Sequence, residues 1–171
     1  MFRAEIRKIG IAAVWLAAAA RAMPAGPGGP PPGGARGTID YRGARRVLRY
    51  AAAVRGPDAV DEKKRIRRLV LSPADLGPAI ARCETMACVD AAVTEGLEVD
   101  FDAGPRLNYW IALDGQKTQY SGTTVPAAFV AAADDARRLA GRLSIDDTRT
   151  GGPAIEAEFD APFVRAFERA R

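Results

Sequence analysis

Alternation of apolar and polar residues is the main pattern in the second half of the chain. Leu97–Phe101, Leu139–Ile145 and Ile155–Phe159 alternate with a period of two. Because successive side chains of a strand point to opposite faces of a sheet, each segment predicts a strand with one apolar face. The last two should form a hairpin that places Leu143 opposite Ala157 on the apolar side.

The dipeptide Asp114-Gly115 separates two further strand-like runs and predicts a type I′ hairpin turn. Counting outward from a two-residue turn pairs Tyr109 with Tyr120. This register stacks the two tyrosines on one face of the hairpin and puts Trp110 on the other.

The segment Lys63–Ser72 changes character along its length. It begins with a cluster of Lys and Arg and ends in the apolar run Leu69–Leu71. This pattern predicts a strand that runs from solvent into a core. Its charges are interpreted first as solvated residues that protect a sheet edge, and Arg65 and Arg67 are the candidate contact surface for an acidic partner.

Pro73–Val93 is the one segment predicted to be mainly helical, because its apolar residues recur at spacings of four and three. A helical turn is also predicted near the C-terminus, where aromatic residues recur every four positions. They are Phe159, Phe163 and Phe167.

The only two cysteines, Cys83 and Cys88, lie within the predicted helix. A zinc site needs about four ligands, and the chain has no histidine, so a disulfide is the favoured interpretation. On a straight helix these side chains would point about 140° apart. A disulfide therefore requires the helix to break or turn between Arg82 and Cys88.

The N-terminal segment has the pattern of an export signal. A positively charged start precedes the apolar run Ile9–Ala20, and Ala20-Arg21-Ala22 fits a cleavage site. Residues 1–22 are therefore predicted to be a signal peptide of a periplasmic or secreted protein. The run is shorter than the roughly 20 residues of a spanning helix, so a retained anchor is the weaker alternative and no transmembrane segment is expected after cleavage.

Residues 23–36 are rich in Pro and Gly and predict a disordered tether. Residues 37–171 are predicted to form a single β-rich domain, being too short for two ordinary ones. The net charge is +4, but residues 1–22 carry four positive charges and one negative charge, which leaves +1 for the remainder. No nucleic-acid partner is expected on this balance.

The sequence offers little catalytic chemistry. The absence of histidine excludes Ser-His and Cys-His nucleophile pairs, and no phosphate loop or dinucleotide motif occurs. Asp100 and Asp102 would project to one face of a strand and are candidates for an acid pair or a calcium site. No catalytic residue and no cofactor is predicted.

Aromatic side chains give the candidate ligand site. Tyr109, Trp110 and Tyr120, with Phe129, could line the interior of a barrel and hold a small hydrophobic ligand.

Several short motifs resemble those of a group of small exported bacterial proteins of unknown function. They are G-x-I-x-Y-x-G at residues 37–43, D-E-K-x-R-I-R-x-L-V-L-S at 61–72, S-G-T at 121–123, G-R-L at 141–143 and F-D-A-P-F at 159–163. The resemblance implies an exported β-rich domain and carries over no catalytic residue.

The expected fold is mainly β: an antiparallel sandwich or partly closed barrel of about seven to nine strands with one short helix. The favoured function is a non-enzymatic binding or interaction domain whose partner is a protein or small ligand. The alternatives are the small-ligand carrier and a hydrolase that uses carboxylates such as Asp100 and Asp102.

Overall fold

Within the residues that the structure describes, nine strands form one sheet that curls into a half-barrel. The computed structural model describes residues 28–116 and 118–171. The strands are β1 (Gly34–Tyr41), β2 (Ala44–Pro57), β3 (Arg65–Ser72), β4 (Gly96–Phe101), β5 (Leu107–Ala112), β6 (Tyr120–Thr124), β7 (Phe129–Asp134), β8 (Arg138–Asp146) and β9 (Ala154–Ala166). This confirms a mainly β fold and a partly closed barrel, at the upper end of the expected strand number.

The strand order across the sheet is β6-β5-β4-β3-β2-β1-β9-β8-β7, with antiparallel neighbours along the whole series. β1 lies between β2 and β9 but is shorter than both. Beyond the N-terminal end of β1, strands β2 and β9 pair directly with each other in parallel, and Ala53 lies opposite Phe163.

The concave face of the sheet is filled by a continuous apolar core. Leu69, Val99 and Tyr109 lie at its centre, and the predicted core run Leu69–Leu71 is fully buried. Phe129 and Tyr120 pack against the margin of this core. The interior of the half-barrel is therefore occupied by the protein's own side chains.

Two short helices, α1 (Gly77–Arg82) and α2 (Met86–Ala92), cover the convex outer face between β3 and β4. They form a second core, in which Ile80, Met86 and Val89 of the helices are buried with Val70 of the sheet. One helix was predicted here and two are found.

The break between the helices coincides with the cysteines. The Sγ atoms of Cys83 and Cys88 are 2.08 Å apart, at disulfide-bond distance. α1 ends one residue before Cys83, and Thr85 caps α2 by accepting the backbone N–H of Cys88 at 3.2 Å. The predicted interruption between Arg82 and Cys88 is confirmed.

The hairpin β8–β9 has the predicted register. Leu143 lies opposite Ala157, and Gly141 lies opposite Phe159. β9 then continues as a strand to Ala166, so the predicted C-terminal helical turn is wrong. The backbone of this segment is held by its pairing with β2.

The predicted register of the hairpin β5–β6 is wrong by two residues. Asp114 and Gly115 both have positive φ, as a type I′ turn requires, but Tyr109 lies opposite Gly122 rather than Tyr120. A Cβ atom on Gly122 would lie 2.8 Å from the ring of Tyr109. The buried ring thus needs glycine as its cross-strand partner, and the loop absorbs the extra residues.

β1 begins at Gly34, so Gly34–Arg36 are part of the sheet although their composition placed them in the tether. The N–H of Gly33 donates to the carbonyl of Asp160, and the N–H of Ala51 donates to the carbonyl of Gly33. Gly33–Arg36 contains no proline, so each N–H is available for pairing.

The predicted signal peptide, residues 1–22, lies outside the described residues, as does the first part of the predicted tether, residues 23–27. Within the part of the chain that the structure describes, no helix is both long and apolar enough to span a membrane.

Candidate ligand cleft on the outer face of the sheet

A cleft of about 810 Å³ opens on the outer face of the sheet, beside α2. Its floor is formed by β3, β4 and β5, one wall by α2, and its rim by the loop Asp58–Lys64. We call it the outer cleft. Its charged lining residues are Asp58, Asp61, Lys64, Arg68, Asp90, Glu98 and Asp100.

Two cross-strand rows build the floor of the outer cleft. Arg68 lies opposite Asp100, which lies opposite Asn108 on β5. In the adjacent row, Glu98 lies opposite Trp110. Because strand side chains alternate, all five residues project to the outer face, on which the helices α1 and α2 also pack.

Arg68 is the most deeply buried cation of the site, with 5 % of its surface exposed. Its Nε and Nη2 atoms donate to the two carboxylate oxygens of Asp100 at 2.6 and 2.8 Å, and its Nη1 atom donates to Asp90 on α2. Burial raises the pKa of Asp100, while the hydrogen bonds from Arg68 act in the opposite direction. The three donor nitrogens of Arg68 are thus all engaged by these two carboxylates.

Glu98 is also buried, with 8 % of its surface exposed, but it lacks a comparable partner. Its Oε1 atom is one of two buried side-chain oxygens in the described residues that accept no hydrogen bond. The Nη1 atom of Arg68 lies 3.6 Å away, beyond hydrogen-bonding distance. Burial raises the pKa of Glu98 to about 6.

Trp110 forms the aromatic part of the outer cleft. It is half-buried, lies directly opposite Glu98 and has the guanidinium carbon of Arg68 5.5 Å from its ring centroid. A cation near this ring is therefore already part of the folded structure.

The rim is shaped by hydrogen bonds within the loop Asp58–Lys64. The carboxylate of Asp58 accepts the N–H of Val60 at 2.7 Å, and the Nζ atom of Lys64 donates to the carbonyl of Ala103 at 3.2 Å. The ammonium group of Lys64 is thus tied to the loop that follows β4.

The structure separates Trp110 from the other aromatic candidates, which share the inner core: the ring centroids of Tyr109 and Tyr120 are 5.9 Å apart, and Phe129 packs against the same core. Tyr109 is buried in the inner core, where its hydroxyl donates to Asp147, and Tyr120 packs at the margin of that core. Trp110 projects to the opposite face and lines the outer cleft. Only Trp110 lies in the site described here.

The arginines predicted as a contact surface are bound within the chain. Arg65 donates to the backbone carbonyl of Phe167 at 2.6 Å. Arg67 donates twice to Asp102 and also to Asp134 on β7. Both guanidinium groups thus already make contacts within the chain, while the side chain of Arg65 is 48 % exposed, and their role as a contact surface stays a prediction.

Asp100 and Asp102 do not form a pair. Asp102 follows the end of β4 and has φ of 72°, which turns its side chain away from the alternation of the strand. Asp100 therefore binds Arg68 in the outer cleft, whereas Asp102 binds Arg67. Within residues 28–116 and 118–171, no group of three acidic or cysteine side chains is arranged to hold a metal ion.

Sequence reasoning missed Arg68, Asp90, Glu98 and Asn108 as members of one site. One signal was available: Glu98 and Asp100 alternate with core residues on β4, and the helical segment between β3 and β4 has to pack on one face of these strands.

No protein-family model matches this chain, and neither a curated protein nor a solved structure does. The function is therefore inferred from the chemistry of the outer cleft.

Proposed function

We propose that this chain is an exported domain that binds a small ligand in the outer cleft without transforming it. The observation that carries the proposal is a concave site in which Trp110 and a buried, unpartnered Glu98 oxygen lie side by side. Buried polar groups in folded proteins normally have hydrogen-bond partners, and one without a partner indicates a role for an external group.

The packed interior favours the outer cleft over carriage inside the barrel. Tyr109 and Phe159 are fully buried among the core residues of the concave face. The outer cleft has instead an open volume within the usual range of ligand pockets, roughly 300–1,000 Å³.

Two features support the proposed export. The first is the charged and then apolar pattern of residues 1–22. The second is the approach of Cys83 and Cys88 to disulfide distance, since disulfides persist mainly in oxidising compartments.

A second candidate function is acid–base hydrolysis at Glu98. A carboxyl group with a pKa of about 6 in a cleft has the acidity that a general acid or base needs near neutral pH. Binding is favoured because the neighbouring Asp100 is held in a bidentate pair with Arg68 and is not free to act as a second carboxylate.

Tryptophan fluorescence provides the test of binding. Trp15 and Trp110 are the only tryptophans, so the full chain with Trp15→Phe reports on the outer cleft alone. Small anions, neutral polar compounds and organic cations would be titrated in separate series. We expect at least one class to change the Trp110 emission saturably and, at about 100 times its Kd, to raise Tm by roughly 5–10 °C.

Matched variants locate the binding site. Ala91 lies on α2 and lines the outer cleft, whereas Ala81 is an exposed residue of α1 outside it. Ala91→Leu should abolish the fluorescence change and Ala81→Leu should preserve it. Binding that survives Ala91→Leu, or a flat response to all three classes, would contradict the proposed site, and turnover of a bound ester or glycoside would favour hydrolysis.

A further inference from the structure

We propose that the ligand of the outer cleft is a small organic cation whose ammonium or guanidinium N–H groups donate to Glu98 beside the ring of Trp110. This inference rests on the proposed function and names the chemical class of the ligand.

Charge balance in the outer cleft favours a cation. Five carboxylates line it, and only Lys64 and Arg68 oppose them. Because Arg68 is shared by Asp100 and Asp90, its single charge leaves these two residues and Glu98 with a negative excess. A ligand of opposite charge would complete the balance.

Arg68 does not donate to Glu98 in this geometry: only three of its five N–H groups are bound by Asp90 and Asp100, but its Nη1 atom stays 3.6 Å from the Oε1 atom of Glu98. Its Nε and Nη2 atoms are bound to Asp100, and its Nη1 atom is bound to Asp90. The Oε1 atom of Glu98 remains without a donor. A buried oxygen that accepts no hydrogen bond destabilises the fold. A role in ligand binding therefore explains the Oε1 atom of Glu98 better than a role in stabilising the fold.

The surroundings of Glu98 suit an organic cation better than a metal ion. The indole of Trp110 lies across from Glu98 on the neighbouring strand, and aromatic faces attract ammonium and guanidinium groups. Calcium needs about six to eight oxygen ligands. Asp90 and Asp100 are already bound by Arg68, so their oxygens do not form such a ligand set around Glu98.

The size of the outer cleft indicates more than a single ammonium group. About 810 Å³ accommodates a chain of several carbon atoms with a polar group at each end. Asn108 and Gln116 line the same cleft and offer amide oxygens to a second N–H group.

Isothermal titration calorimetry and Trp110 fluorescence of the full chain with Trp15→Phe would test the ligand class. The cationic probes are 1,5-diaminopentane and agmatine. The controls are 1,5-pentanediol, which has the same length without charge, glutarate, which is an anion, choline, which lacks N–H groups, and calcium chloride. We expect saturable binding of the cationic probes, at least tenfold weaker binding of pentanediol and choline, and weaker binding still of glutarate and calcium.

A matched pair of variants tests the role of Glu98. Glu98→Gln should weaken the binding of 1,5-diaminopentane at least tenfold, whereas Glu62→Gln removes the same charge from the exposed part of the rim loop and should change it less than twofold. Trp110→Phe should also weaken the binding of 1,5-diaminopentane, measured by calorimetry. This second variant tests the site even if Glu98→Gln does not fold.

The outcomes separate the two proposals. Tighter binding of pentanediol or glutarate than of both cationic probes, blocked by Ala91→Leu, would overturn the cationic ligand and leave the binding function standing. Equal binding of 1,5-diaminopentane to the Glu98→Gln variant and its parent would also overturn it. If no probe binds, both proposals fail.

Discussion

Arg68 and Asp100 lie directly opposite each other on β3 and β4 and share two hydrogen bonds on the face covered by α2. Each side chain is about 6 % exposed. One strand position away, Arg67 makes a similar bidentate contact with Asp102 at the surface of the protein. The chain thus contains a buried and an exposed version of the same ion pair.

Removal of one partner should affect the two pairs very differently. Asp100→Asn leaves the buried Arg68 without its bidentate carboxylate and should lower the free energy of unfolding by about 3 kcal/mol. Asp102→Asn, whose carboxylate is solvent-accessible, should cost less than about 1 kcal/mol. Urea denaturation of both variants measures the difference, and equal losses would show that Arg68 is not an essential part of the folded outer face.

Glu98 should make stability depend on pH. Its pKa rises from 4.5 to about 6 on folding, so the native state retains this proton over a range where the unfolded chain has lost it. The contribution of Glu98 to the free energy of unfolding therefore falls as pH rises from about 4.5 through 6. Glu98→Gln should remove this loss and be more stable than the parent by about 2 kcal/mol at pH 7, but similar to it at pH 4.

Chemical denaturation of the parent, Glu98→Gln and Glu62→Gln across this pH range provides the measurement. The parent and the Glu62→Gln control should show the same curve, because Glu62 is exposed. A stability difference between Glu98→Gln and the parent that does not change with pH would contradict the assignment. If Glu98→Gln is more stable than the parent and also binds 1,5-diaminopentane more weakly, Glu98 serves binding at a cost in stability.

The link between Cys83 and Cys88 should stabilise the turn between α1 and α2. In the chain-entropy model, closing so short a loop contributes about 2 kcal/mol. The double variant Cys83→Ser, Cys88→Ser should therefore unfold at a lower urea concentration, and reductant should produce a similar shift in the parent but none in the variant. Thiol titration of the unfolded, unreduced parent should find no free sulfhydryl groups.

Gly122 should resist substitution because of Tyr109. A Cβ atom at this position would lie 2.8 Å from atoms of the tyrosine ring, so Gly122→Ala should destabilise the protein by about 1–3 kcal/mol. Gly104→Ala is the control, since nothing lies within 4 Å of its added Cβ atom. Thermal unfolding of both variants checks the register of β5 and β6, and an unaffected Gly122→Ala would contradict it.

The parts of this fold that sequence reasoning predicted depend on local chemistry. The alternation in β8 and β9 decides which face of each strand is apolar, and a one-residue slip would expose Leu143, so their register follows directly. The interruption between Arg82 and Cys88 follows from helix geometry once the cysteines are paired. The burial of Leu69–Leu71 follows from an apolar run at the end of a charged segment.

The register of β5 and β6 and the separation of Asp100 from Asp102 depended on contacts that the sequence pattern does not display. The register of β5 and β6 depends on the close approach of Tyr109 to Gly122. The separation of the two aspartates depends on the left-handed backbone conformation of Asp102. Both are steric consequences of folding that override the simple count along a strand.

The candidate site shows this division most clearly. The sequence by itself determined that Arg68, Glu98 and Asp100 lie on strands, and that Glu98 and Asp100 alternate with core residues. Only the tertiary structure decided that α2 covers that face, and this burial turns three ordinary surface charges into a desolvated pair and an oxygen without a donor. The reason is that desolvation depends on which distant segment packs above a residue, and periodicity along the chain carries no information about that packing.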